Sequence, residues 1–215
     1  MQTFKYAIFD MDGTILNSVS DIEIAINYVM KKYGYKTFNE DEIMSMLGNG
    51  NKKLVERALP EGLKDKHFDE KYKEFLDYYF SHCKIKSEPY DGIIDLFHYL
   101  KNKGIKTAIV SNKNDAAVQE LKDYYFNGLI DVAVGITANM KVKPDPEPVE
   151  KALKTLKATK EDSLYMGDSE VDAKTAENSG LKYLSVSWGF RSRDILLKLH
   201  PIEIVDKPED IKKYF

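Results

Sequence analysis

Residues 9–14 read FDMDGT and follow the apolar run YAI, so two carboxylates, Asp10 and Asp12, leave a buried segment two positions apart, with a glycine and Thr14 behind them. Like charges at close range repel, and a turn needs only one acid. The pair is accounted for by a bound cation, or by a reaction that gives each acid its own role. Further along, Ser111 and Asn112 close the run IKTAIVSN, Lys143 stands in KVKPDPEP, and GDSEVD carries Asp168, Ser169 and Asp172. Carboxylates from two strands suit Mg²⁺, which takes hard oxygen ligands and keeps several waters. A carboxylate can also be a nucleophile that carries a phosphoryl group. A lysine is a point charge for phosphate oxygens, and hydroxyl and backbone N–H groups complete an anion cradle. Such groups together neutralise and align a transferring phosphoryl group.

These residues are far apart in sequence, so the elements around them must bring them together. Short apolar runs at 5–9, 105–111, 130–135, 163–167 and 181–187 read as strands. Between them, Ile93, Leu96, Phe97 and Leu100 repeat as the stripe of an amphipathic helix, and 114–125 and 145–157 are also expected to be helical. Strands alternating with helices predict an α/β fold, a doubly wound, Rossmann-like parallel sheet covered on both faces. Ligands of such sheets bind beyond the carboxyl ends of the strands. Asp10, Asp12 and Thr14 follow the first strand, Ser111 and Asn112 the second, and Asp168 and Asp172 a later one, with Lys143 in the loop beyond 130–135.

From 18 to 83 the alternation stops. Ile22, Ile26, Val29, Met30 and Tyr33 form one helical stripe, and Phe68, Tyr72, Phe75, Leu76, Tyr79 and Phe80 another, with shorter helices expected at 39–47 and 51–59 around the loop LGNG. These aromatic stripes are expected to be core. The reading is an all-helical domain, 17–88, inserted into an α/β core domain made of 1–16 and 89–215, with crossings at ILNS and KIKSEPYDG.

The totals narrow the function. Lys plus Arg number 32 and Asp plus Glu 35, a net charge of −3, so no basic excess argues for nucleic acid or an anionic membrane. No apolar run is long enough to span a membrane, and MQTFKYAIFD lacks the pattern of a signal peptide. The single cysteine, Cys83, allows no internal disulfide, which fits a reducing, cytoplasmic compartment. His67, His82, His98 and His200 have no zinc spacing.

DMDGT, VSN, KPDPEP and GDSEVD, in that order, resemble the four motifs of the haloacid dehalogenase superfamily of phosphohydrolases. The resemblance covers nearly the whole chain, and the helical insert falls where that family carries its cap. LGNGNKKLVERAL, EPYDGI and VSWGF resemble its phosphoglycolate-phosphatase-like branch. The resemblance implies a Mg²⁺-dependent phosphatase of a small phosphate ester, working through an aspartyl phosphate. Asp10 would attack phosphorus. Asp12 would protonate the leaving oxygen and then deprotonate water. Asp10, the backbone carbonyl of Asp12, and Asp168 would hold the metal, with Asp172 behind the metal site or Lys143. Ser111 and Lys143 would hold the phosphoryl oxygens beside Asn112, and Thr14 fits the phosphatase pattern. The substrate would meet Gly48, Asn49 and Gly50 of the insert, with charge from Lys52, Lys53 or Arg57. The expected partner is a small molecule, and the chain is expected to be a monomer or homodimer.

A phosphomutase or pyrophosphatase of the same superfamily stays open. A receiver-type module that takes phosphate on aspartate would lack the helical insert and Asp12. A non-catalytic relative would be expected to lose one of Asp10, Asp12, Lys143 or Asp168.

Overall fold

In the computed structural model, which describes residues 3–215, each expected strand forms within two residues of its expected bounds, save at one strand end. Met1 and Gln2, the start of the expected segment 1–16, lie outside the described residues. The first part of the chain runs β1 (Tyr6–Phe9), β2 (Leu16–Asn17), α1 (Val19–Lys32), α2 (Glu40–Met46), α3 (Asn51–Ala58), α4 (Phe68–His82) and β3 (Glu88–Pro89). Then come α5 (Ile93–Asn102), β4 (Lys106–Asn114), α6 (Asp115–Tyr125), β5 (Val132–Ile136) and α7 (Glu147–Leu156). The last part is β6 (Ser163–Gly167), α8 (Glu170–Ser179), β7 (Lys182–Val186), α9 (Arg193–Leu197) and β8 (Glu203–Val205), followed by a 3₁₀ segment, Pro208–Tyr214.

Six strands form one sheet in the order β5-β4-β1-β6-β7-β8, and every pairing is parallel. The period of two along β1 sorts its side chains. Ala7 and Phe9 face the layer that holds Leu96, Phe97 and Val118, while Ile8 faces Val149, Ala152 and Ala176. Helices therefore cover both faces, as the apolar runs require. β1 lies inside the sheet with β6 beside it, so the loops after these two strands meet at one edge. β4 runs on past Ser111 to Asn114 with an irregular register after Val110, so Ser111 and Asn112 belong to the distorted end of the strand rather than to a loop after it.

Between β2 and β3 the described residues form only helices. α1 packs against α4 through Ile22, Ile26 and Val29 opposite Phe75 and Tyr79, the aromatic stripe serving as core. The chain crosses out and back through a two-stranded antiparallel ribbon that pairs Leu16 with Pro89 and Asn17 with Glu88. The apolar cluster of the insert is continuous with that of one sheet face.

Three elements leave little trace in the sequence. α8 (EVDAKTAENS) buries Thr175, Ala176 and Ser179, small residues that make no apolar stripe. β8 and α9 have three and five residues, shorter than any readable period. No helix among the described residues is long and apolar enough to cross a membrane.

Candidate active site

The turn after β1 is built around one glycine. Gly13 has φ +85°, and a Cβ there would lie 2.5 Å from Asp168 Oδ2, so the position requires both the left-handed backbone and the missing side chain. The chain can thus fold back at once, Gly13 N donating to Leu16 O, while the end of β6 presses against it. Thr14, fully buried, donates through Oγ1 to Asp168 Oδ1 at 3.2 Å.

Asp10, Asp168 and Asp172 bring carboxylate oxygens within 4.8 Å of one another, and all three are buried. Lys143 enters from the loop before α7. Its Nζ donates to Asp10 Oδ1 at 2.7 Å and to Asp172 Oδ1 at 2.8 Å. The Tyr165 hydroxyl, from β6, donates to Asp172 Oδ1 at 3.0 Å and lies 3.0 Å from the same ammonium. Asp172 also accepts from the backbone N–H of Ser169, capping the first turn of α8. Its place is thus fixed by a helix start as much as by the site.

The electrostatics follow from burial. Desolvation and then the neighbouring Asp172 push Asp10 well above the usual carboxylate range, with Lys143 opposing them. Burial and Asp172 raise Asp168 to about 7. Burial works against the Lys143 ammonium, but Asp10 and Asp172 outweigh it and hold its pKa well above the ordinary value. Among the described residues three carboxylates share one hydrogen-bonded ammonium here, so full ionisation would leave two negative charges in excess of it. A buried arrangement of that kind calls for a cation. The donors are all hard oxygens, and the missing charge is that of one divalent ion, so the residues fit Mg²⁺.

Asp12 is turned elsewhere. Ser18 Oγ donates to its Oδ1 at 2.5 Å, and Lys113 Nζ lies 3.0 Å from the same atom. Lys113 also bonds the Tyr79 hydroxyl of α4. Burial opposes its charge, yet Asp12 and Tyr79 hold its pKa above the ordinary value. The two acids of the turn therefore live in different surroundings: Asp10 shares the Lys143 ammonium with Asp172 beside a further carboxylate, and Asp12 meets the Lys113 ammonium and the Ser18 hydroxyl.

These groups line a narrow cleft of about 50 Å³ at the sheet edge. Ser111 and Asn112 of the sheet and Gly48 and Gly50 of the insert are among its lining residues. Asn112 fixes Lys143 by a reciprocal pair, accepting from its backbone N–H at 2.7 Å and donating to its carbonyl at 3.0 Å. The expected cap contacts divide. Asn49 accepts from Arg57 at 2.7 Å and does not line the cleft. Lys52 stands over the Phe68 ring, and Lys53 pairs with Glu56. The cations at the cleft besides Lys143 are Lys113 and Arg191. Lys113 adjoins the VSN motif, a signal the sequence carried. Arg191 is five residues beyond β7, and only the fold brings it to the insert.

The sequence profile of the haloacid dehalogenase-like hydrolase family matches residues 7–186. A phosphoglycolate phosphatase of Aquifex aeolicus is 30% identical over 210 residues, 97% of this chain and 95% of its own. A pyrophosphatase of Halalkalibacterium halodurans is 27% identical over 205 residues, 95% of this chain and 93% of its own. Among solved structures, a protein of Lactobacillus delbrueckii subsp. bulgaricus, provisionally described as a phosphoglycolate phosphatase, superposes with a TM-score of 0.94 at 35% identity, covering 99% of this chain and 98% of that one.

Proposed function

The chain belongs to the haloacid dehalogenase-like hydrolase family, and from that premise we propose that it is a Mg²⁺-dependent phosphatase of small phosphate monoesters, working through a phosphorylated Asp10. The observation that carries the reading is the division of the two acids of the DMDGT turn. Asp10 stands with Lys143, Asp168 and Asp172, and Asp12 with Ser18 and Lys113. A nucleophile and a proton carrier need such separate surroundings.

Asp10, Asp168 and the backbone carbonyl of Asp12 would hold the metal, with Asp172 behind them. Mg²⁺ held there would supply the missing positive charge, keep Asp10 ionised and polarise a phosphoryl oxygen. A carboxylate oxygen of Asp10 attacks phosphorus, and the bond to the leaving oxygen breaks. Asp12 gives that oxygen its proton, then takes one from the water that hydrolyses the acyl phosphate. Ser111 and Lys143 hold the phosphoryl oxygens, Asn112 fixes Lys143, and Thr14 orients Asp168.

The helical insert is the substrate-selecting cap of this reading. The sheet-edge groups meet only the phosphoryl group that all esters share, so selection falls to Gly48, Gly50 and their neighbours. A cleft of about 50 Å³ favours a leaving group of few atoms. The relatives named phosphoglycolate phosphatase favour a phosphoglycolate-like ester, and those named pyrophosphatase make pyrophosphate the second candidate.

Initial rates on phosphoglycolate, pyrophosphate, hexose phosphates and an aryl phosphate, with Mg²⁺ and with EDTA, test the proposal. The small esters should give the highest kcat/KM, and EDTA should abolish turnover. Borohydride reduction of quenched enzyme should convert phosphorylated Asp10 to homoserine, read by peptide mass. Full activity after exhaustive chelation would remove the metal from the mechanism.

A further inference from the structure

The loop after β7, Ser187–Arg191, touches both halves of the site. At its start Trp188 Nε1 donates to Thr14 O at 2.9 Å, holding the turn after β1. Gly189 lies so close that a Cβ there would meet Asp168 Cβ and Gly13 O at 2.3 Å. Phe190 N then donates to Asp168 Oδ2 at 2.8 Å. The next residue, Arg191, leaves the core. Its two terminal nitrogens donate to Met44 O and Leu47 O, each at 2.9 Å, and its Nε donates to Glu170 Oε2 at 2.8 Å.

Met44 lies in the last turn of α2 and Leu47 is its C-cap, at the end where the helix dipole is negative, and Met44 O also accepts from Leu47 N. A guanidinium is the side chain that can fork onto two such oxygens at once. The same stretch leads directly into the loop that lines the cleft, and Gly48 would carry a Cβ within 3.4 Å of Arg191 Nη2. Two adjacent residues therefore grip opposite parts of the site, Phe190 a carboxylate of the acidic cluster and Arg191 the insert.

We propose that Arg191 is a positioning residue that couples closure of the insert to divalent-metal binding at Asp168. The inference rests on the reading of Asp168 as a metal ligand. With the insert closed, Arg191 is tethered at Met44 and Leu47, and this holds Phe190 N where it fixes the Asp168 carboxylate. Metal at Asp168 holds the loop in return and favours the tethered state. The coupling is reciprocal, as linkage requires. A phosphate ester would then be enclosed by a lid that closes best over a loaded site.

Calorimetric titration of Mg²⁺ into the metal-free protein, paired with hydrogen exchange of residues 44–50, tests this in the full chain. In the wild type, Mg²⁺ should bind and protect these amides. Arg191→Met keeps the aliphatic stem and loses the fork. It should weaken the Mg²⁺ Kd by about fivefold or more, the lower range of such couplings, and Mg²⁺ should no longer protect 44–50. Arg191→Lys keeps the charge without the fork and should behave like Arg191→Met. It also serves if the first variant does not fold by circular dichroism. An unchanged Kd with wild-type protection in either folded variant, or wild-type binding without protection, would overturn the coupling alone. Wild-type protein that binds no Mg²⁺ would overturn the metal site along with it.

Discussion

The ammonium of Lys143 lies 2.7 Å from Asp10 Oδ1, although 133 positions separate the two residues. The same ammonium reaches Asp172 at 2.8 Å. It thus hydrogen-bonds two carboxylates of the acidic cluster at once, and it stands beside the oxygen expected to attack phosphorus. The position is suited both to holding Asp10 and to receiving a phosphoryl oxygen.

Removing Lys143 separates these roles. Lys143→Met leaves Asp10 and Asp172 buried without their counter-charge, and breaking a buried pair costs about 3–5 kcal/mol. Denaturant unfolding of the metal-free protein at about pH 8 should show a loss of that order. The loss should shrink at lower pH, where the raised carboxylates take up protons. Turnover should fall with it at every pH. A variant as stable as the wild type at the higher pH would show that the cluster is neutralised in another way.

The two acids of the first turn should fail in different ways. Asp10→Asn keeps the shape and removes the proposed nucleophile, so kcat should fall by more than about a thousandfold with the fold intact by circular dichroism. Asp12→Asn removes the proposed proton carrier and should cost about 10²–10⁴-fold in kcat on an alkyl phosphate. Its cost should be smaller on an aryl phosphate, whose leaving oxygen needs little protonation. An Asp10→Asn enzyme that kept about a tenth of the wild-type rate would point to another nucleophile.

Metal and pH should act against each other on stability. Asp168 is raised from 3.8 to about 7, so the folded chain binds its proton more tightly than the unfolded chain does. The stability from that proton is present at low pH and is lost as pH rises through the interval between the two values. In EDTA the melting temperature should therefore fall from about pH 4 to about pH 7, and Asp168→Asn should flatten the trend. Mg²⁺ should reverse it, since metal competes with the proton for the same oxygens. Ca²⁺ should also stabilise but should not support turnover, because its larger and looser shell misplaces the nucleophile. A wild-type melting temperature that climbs across this range in EDTA would contradict the assignment.

Gly50 should control substrate choice. Its φ is +81°, and a Cβ there would lie 3.4 Å from Asn112 O, at the contact between insert and core. Gly50→Val adds strain of about 1–3 kcal/mol and bulk where the two halves meet. KM for a small ester should rise, while hydrolysis of an aryl phosphate should suffer much less. Equal losses on both substrates in a folded variant would remove this loop from substrate selection.

Much of the site was legible in the sequence because strand ends and the rule for parallel sheets place chemistry-bearing residues at a common edge. Asp10 after β1 and Asp168 after β6 meet because those strands are neighbours, and their apolar runs announced them as strands. The alternation of apolar runs with helical stripes likewise fixed the doubly wound sheet, and its interruption from 18 to 83 marked the insert. Side-chain direction is another matter. Nothing local told Asp12 to turn toward Ser18 and Lys113 while Asp10 turned to Lys143, because each orientation depends on partners supplied by other elements. Asp172 is fixed by the first turn of α8, a helix without an apolar stripe, and only packing set its carboxylate against Lys143 and Tyr165. The charges around the cleft show the same limit. Lys53 and Arg57 sit near the glycine loop in sequence but are taken up by Glu56, Asn49 and the Met46 carbonyl, whereas Arg191, 141 positions beyond Gly50, reaches that stretch from the sheet. A period in sequence assigns a residue to a face. Which partner it meets across that face is decided by long-range packing, where neighbours in space have no fixed spacing in the chain.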